Sequence, residues 1–172
     1  RSYLARLAAV GAPGAPTGVT GTRGDTQVTV NWTAPASDGG SAITGYTVTA
    51  SPGGATCPAT PPPPSCTVTG LTNGTAYTFT VTATNAVGTG SASSASSAVT
   101  PATTPGQPTS VSGVAGNGQV TVSWSAPATG GSAITGYTMT GTPSGSCSPS
   151  PVATSCVVTG LTNGTAYTFT VV

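Results

Sequence analysis

The stretch VTVNWTAPASDGGSAITGYTVT, Val28 to Thr49, decides the fold, because it returns almost unchanged as VTVSWSAPATGGSAITGYTMT at Val120 to Thr140. A second block, GLTNGTAYTFTV, stands at Gly70 to Val81 and again at Gly160 to Val171. Within each block the period is two. Val28, Val30 and Trp32 alternate with Thr29 and Asn31, and Tyr77, Phe79, Val81 and Ala83 alternate with Thr78, Thr80 and Thr82. An apolar residue at every second position, with threonine between, is the pattern of a strand buried on one face. Threonine suits the outer face because its β-branch favours a pleated strand while its hydroxyl stays wet.

Turn signals at Asp38-Gly39-Gly40, Pro52-Gly53-Gly54, Asn73-Gly74 and Gly88-Thr89-Gly90 fall at the spacing of a β-sandwich. No helix is expected. The expected fold is all-β: two tandem immunoglobulin-like sandwiches. They divide as an N-terminal extension at 1–15, a first domain at 16–101, a Pro-containing linker at 102–107 and a second domain at 108–172. The first copy continues through SASSASSAV, Ser91 to Val99, which reads as its last strand. Val172 corresponds to Thr82, so the second copy is expected to lack its last strand within this chain.

Working outward, charge is the next constraint. Of 172 residues, only three arginines and two aspartates are charged, with no histidine. They are Arg1, Arg6, Arg23, Asp25 and Asp38. General acid–base chemistry needs positioned groups of tuned pKa, so a non-enzymatic protein without cofactors is expected. A net charge of +1 offers no footprint for phosphate backbones, which argues against nucleic acid. No apolar run approaches a membrane span.

The cysteines fall as two pairs of one repeated spacing, which favours Cys57 with Cys66 and Cys147 with Cys156. Zinc sites want close-set knuckles, whereas each pair here brackets eight residues. The disulfide reading implies an oxidising, extracellular setting.

Both copies resemble fibronectin type III domains of the bacterial secreted kind. The resemblance rests on Pro16 and Pro108, Trp32 and Trp124, Tyr46 and Tyr137, and the Leu71-to-Tyr77 and Leu161-to-Tyr167 spacings. It implies that each Leu–Tyr pair forms the corner before the sixth strand, with the tyrosine hydroxyl bonded to loop backbone. On the family layout each cysteine pair ties a local corner and does not join the two sheets. Trp32 and Trp124 alternate with inward valines and read as core residues, not as sugar-stacking platforms.

Three further features carry functional readings. Arg23-Gly24-Asp25 spells an adhesion tripeptide of the family, which would imply a host receptor, but it sits between the first two strands, where the second copy has Ala115-Gly116-Asn117. Gly with Asn or Asp is usual turn chemistry. The leading segment Ser2, Tyr3, Leu4, Ala5, Arg6, Leu7, Ala8, Ala9 and Val10 has no evident place in the first copy and is a candidate donor strand for an open second sandwich. Two other origins remain open for it: the tail or linker of a preceding repeat in a longer protein, and an unstructured N-terminus. Asn73-Gly74-Thr75 and Asn163-Gly164-Thr165 match a glycosylation pattern and read better as turns.

The function expected is therefore a structural or adhesive protein of a microbial surface, a spacer or a fibre subunit joined end to end or by strand addition. Its partners would be further copies, neighbouring domains of a longer chain, or a surface polysaccharide. The alternative is an accessory spacer region of a secreted polysaccharide-degrading enzyme.

Overall fold

The computed structural model describes residues 9–61, 64–149 and 152–172. The chain divides into two compact units, with the boundary between Thr103 and Thr104. Every named element is a strand.

The first unit contains β1 (Thr17–Arg23), β2 (Gln27–Thr33), β3 (Ile43–Ser51), β4 (Thr56–Ala59), β5 (Ser65–Thr69) and β6 (Thr78–Asn85). They form two three-stranded antiparallel sheets, ordered β1-β2-β5 and β4-β3-β6. The period-two reading is realised in the burial. Along β6 the odd positions Phe79, Val81 and Ala83 are buried and the threonines between them are not. Val28, Val30, Trp32, Tyr46, Val48 and Val68 complete the core between the sheets. The Trp32 and Tyr46 rings lie 5.3 Å apart, tilted by 57°. Both tryptophans are thus core residues, Trp32 at 4% and Trp124 at 5% exposure. Threonine hydroxyls bridge strands on the outer face, as between Thr29 and Thr67 at 3.0 Å.

The second unit repeats this plan with β7 (Thr109–Gly116), β8 (Gln119–Ser125), β9 (Met139–Thr142), β10 (Ser146–Cys147), β11 (Ser155–Thr159) and β12 (Thr168–Val171). Its sheets are ordered β11-β8-β7 and β10-β9-β12. Val122, Trp124, Tyr137, Met139, Val158 and Val171 form its smaller core.

The corner before β6 is as the resemblance implies. The Tyr77 hydroxyl accepts a hydrogen bond from the Thr72 N–H at 3.0 Å, and in the second unit the Tyr167 hydroxyl accepts from Thr162 at 3.1 Å. Each bond satisfies a backbone donor, and in the first unit the Tyr77 ring also fills the core.

Residues 91–99 differ from the strand expected there. They run beside β6, but not as a two-residue ladder. The N–H groups of Gly90, Ser93, Ser96 and Val99 donate to the carbonyls of Ala83, Val81, Phe79 and Tyr77. The segment thus advances three residues for every two of β6. The β6 donors left over by this mismatch are met by side chains: Phe79 N–H donates to Ser96 Oγ at 3.1 Å and Val81 N–H to Ser93 Oγ at 3.0 Å. Ser93 and Ser96 are accordingly buried, while the Ala and Ser residues between them are exposed. A pairing register set by hydroxyls cannot be seen in a period-two reading.

The disulfides also correct the layout inferred from resemblance. Cys57 in β4 is bonded to Cys66 in β5, and Cys147 in β10 to Cys156 in β11. β4 and β5 are edge strands of different sheets, so the bridge joins the two sheets along one side of the sandwich. The inference that the bridge leaves the sheets unlinked fails, because the chain changes sheet between β4 and β5.

Two measurements check these assignments. Tyr77→Phe keeps the ring and removes the acceptor, and is expected to lower unfolding stability by about 1–2 kcal/mol in urea titrations followed by tryptophan fluorescence. Replacing Cys57 and Cys66 together by serine opens a short closed loop and is expected to cost about 2–3 kcal/mol.

Candidate functional site

The adhesion tripeptide is built into a turn. β1 and β2 are joined through residues 24–26, where Gly24 N–H donates to the Gln27 carbonyl at 2.9 Å. Asn73, from the corner before β6, reaches across with both ends of its amide. Its Nδ2 donates to Asp25 Oδ1 at 2.7 Å, and its Oδ1 accepts from Thr26 N–H at 2.8 Å. The second unit makes the same clasp with Asn163, which donates to Asn117 Oδ1 at 2.8 Å and accepts from Gly118 N–H at 2.8 Å. Asp25 and Asn117 therefore do the same job, and it needs a carbonyl-type oxygen, not a charge. Asn73 and Asn163, read in part as glycosylation acceptors, have their Nδ2 groups engaged in these clasps. Thr26 holds φ at +53°, where the second copy has Gly118 at +64°. A β-branched residue is strained in that region and glycine is not.

Of the candidate donor strand, Ser2 to Ala8 lie outside the described residues, and Ala9 and Val10 are exposed on the first unit. The residues just after them are not spare, contrary to the expectation that the leading segment has no place there. Gly11 N–H donates to the Gly39 carbonyl at 2.8 Å and Gly14 N–H to the Ser37 carbonyl at 2.9 Å. Asn85 fastens this strap. Its Nδ2 donates to the carbonyls of Gly11 and Asp38, both at 2.7 Å, and its Oδ1 accepts from Val87 and Gly88. Asn85 is 4% exposed. Sequence reasoning passed over it, although a signal was present: Asn85 follows Ala83 at an inward position of the β6 alternation, where an amide must find partners.

A groove of about 460 Å³ lies on the second unit, lined by Val111, Gly113, Val120, Tyr167 and Phe169 among others. It runs along β12, which pairs with β9 and with no other strand among the described residues. The corresponding place in the first unit is filled by residues 90–99. There Val99 enters so closely that a Cβ on Gly21 would lie 2.9 Å from both Val99 and Val28. Gly113 and Val120 stand at the matching positions. Without such a filling, Tyr167 and Phe169 are only half-buried, whereas their counterparts Tyr77 and Phe79 are 7% and 0% exposed.

Among the described residues no group of three or more His, Cys, Asp or Glu side chains is placed to hold a metal ion. No helix among them is long and apolar enough to cross a membrane. Burial raises the Tyr46 phenol above its ordinary range.

The sequence model of the Fibronectin type III domain matches residues 14–100 and 104–172. Exoglucanase B of Cellulomonas fimi is 38% identical over 154 residues, covering 85% of this chain and 14% of that protein. Chitinase A1 of Niallia circulans is 37% identical over 155 residues, covering 84% of this chain and 21% of that protein. The chain therefore spans about a fifth or less of the length of these relatives. Among solved structures, the chicken CNTN1 FN1-FN3 domains share the fold, with a TM-score of 0.51 at 23% identity over 92% of this chain and 56% of that one.

The turn comparison has a direct check. Asp25→Asn is expected to leave stability within about 0.5 kcal/mol of the parent, as a surface change that keeps its acceptor, and to leave cell attachment unchanged. Thr26→Gly, which copies the second unit, is expected to stabilise by about 0.5–1 kcal/mol in the same denaturation assay.

Proposed function

The chain belongs to the fibronectin type III domain family, and from that membership we propose that it is a non-catalytic spacer region of a secreted polysaccharide-degrading enzyme. One observation carries the reading. The stretch shared with an exoglucanase and a chitinase covers most of this chain but a small part of either relative, as a module set beside larger functional parts would. The physical properties agree with that role. Two sandwiches are each closed by a disulfide between sheets, which suits an oxidising, extracellular location. The sequence is rich in Thr, Ser and Gly and carries few charges to bind polyelectrolytes. The connection at 102–107 is short and contains proline.

The alternative is a fibre subunit of a microbial surface, and the likeness to two polysaccharide-degrading enzymes weighs against it. Intact mass and peptide mapping of the native secreted polypeptide test the choice. A catalytic domain in the same polypeptide is expected. Removing residues 16–172 from it is then expected to lower activity on insoluble polysaccharide several-fold and to leave activity on soluble oligosaccharides unchanged. A native polypeptide made only of such repeats, or assembled into filaments, would overturn the proposal.

A further inference from the structure

We infer that Asn117-Gly118 is a site of spontaneous covalent modification, where the asparagine amide closes onto the glycine nitrogen, loses ammonia and is opened by water to a carboxylate. The inference is independent of the spacer reading, because it rests on how the clasps of the two units differ.

The chain holds three Asn-Gly pairs, beginning at Asn73, Asn117 and Asn163. Glycine in second place leaves its backbone nitrogen uncrowded, so a carboxamide can approach it. In the reaction the Gly118 nitrogen gives its proton to a solvent base and bonds to Asn117 Cγ, while the Cγ–Nδ2 bond breaks and ammonia departs. Water then opens the cyclic imide. Cleavage at Cγ restores the chain with an aspartate, and cleavage at the main-chain carbonyl leaves the chain running through the side-chain carbon. Either way one carboxylate is gained.

The clasps decide which pair is open to this chemistry. Asn73 and Asn163 each reach across to another segment with the amide pinned at both ends, Asn73 to Asp25 and Thr26 at 2.7 and 2.8 Å, and Asn163 to Asn117 and Gly118, both at 2.8 Å. Each must abandon two bonds before its Cγ can fold onto its own glycine. The Gly74 N–H is bound in addition, to the Pro101 carbonyl at 2.9 Å. Asn117 is held differently. Only its oxygen is engaged, and that oxygen remains a carbonyl through ring closure, while the nitrogen that leaves has no partner among the described residues. The bond that has to open is the one from Gly118 N–H to Asn163 Oδ1. Asn117 is exposed, and so is Asp25 at the matching place in the first unit, so the exposure belongs to the turn. The other two asparagines are shielded. Asn31 precedes Trp32, whose N–H is bound to the Pro64 carbonyl at 3.1 Å, and Asn85 is 4% exposed.

The first unit displays the aspartate product. Asp25 accepts from Asn73 Nδ2 as Asn117 accepts from Asn163 Nδ2, so the clasp survives the conversion. The charge changes more than the fold. In a chain of formal net charge +1, with no charged residue after Asp38, one added carboxylate brings the net charge to zero and gives the second unit its first charge.

Peptide mapping by mass spectrometry of the intact chain, aged at mildly alkaline pH, tests the assignment. Conversion at Asn117 is expected to run at least about tenfold faster than at Asn73 or Asn163, the worth of one or two hydrogen bonds. In urea, where the clasps are gone, the three sites are expected to react alike. Asn163→Ala removes the bond on Gly118 N–H and is expected to speed conversion at Asn117 by about three- to tenfold. Gly118→Thr, which copies Thr26, is expected to slow it at least about tenfold by crowding the nitrogen. Earlier conversion of Asn73 or Asn163, an equal preference for Asn117 in urea, no acceleration in a folded Asn163→Ala variant, or no slowing in Gly118→Thr would each overturn the inference.

Discussion

A sandwich this poor in charge has to close its sheet edges by backbone geometry. Natural edges are commonly guarded by lysine or by inward charges, and no charged residue follows Asp38. In the first unit each edge is guarded differently. β1 is interrupted by a bulge between Thr17 and Thr20, with Gly18 at φ +63°. β4 is four residues long and contains Pro58, which has no N–H to offer. β5 is tied to β4 by the disulfide. β6 is covered by a segment whose three-residue advance gives its outer side no regular ladder for a newcomer to extend.

That last device explains features that otherwise look unrelated. The low-complexity run SASSASSAV is what the three-for-two register requires: a small hydroxyl at inward positions 93 and 96, an apolar residue at inward position 99, and small residues where the segment is exposed. Gly21 is small because Val99 closes over it. The corner tyrosine fixes where β6 begins and therefore which of its donors meet Ser96 and Ser93. The duplicated unit supplies the control. With the same β6-type sequence but the groove unfilled, Tyr167 and Phe169 are half-buried where Tyr77 and Phe79 are buried, while Trp124, Tyr137 and Met139 stay buried.

The parts of this structure legible in sequence are those governed by local periodicity. Alternation named the strands of the sheets, and the Trp and Tyr positions named the core. Three things were not legible, each because its cause lies far along the chain. The leading residues look like a linker because Gly and Pro dominate them; their docking depends on Asn85, 74 positions away from Gly11. Cysteine spacing suggested the partners but could not say that β4 and β5 belong to different sheets. Residues 91–97 look like an ordinary strand under a period of two, because their three-residue recurrence at Ser93 and Ser96 has meaning only against the β6 donors it meets.

The tripeptide Arg23-Gly24-Asp25 shows the same limit from the other side, since a motif can be spelled by residues that a turn selects one at a time. Asn73 requires an oxygen at position 25, and the sharp reversal requires a left-handed residue at position 26; a duplicate using Asn117 and Gly118 meets both demands without a charge. The chain thus uses a charged group where a neutral one serves equally, and elsewhere does without. Scarcity of charge then constrains the surface and not the fold: the sandwich is held by alternation, corner and clasp, all of them neutral. The resulting exterior offers threonine hydroxyls and methyls, which neither attract nor repel at a distance. Under the spacer role proposed above, an exterior without long-range fields would leave the encounter with an uncharged polymer to neighbouring parts of the protein.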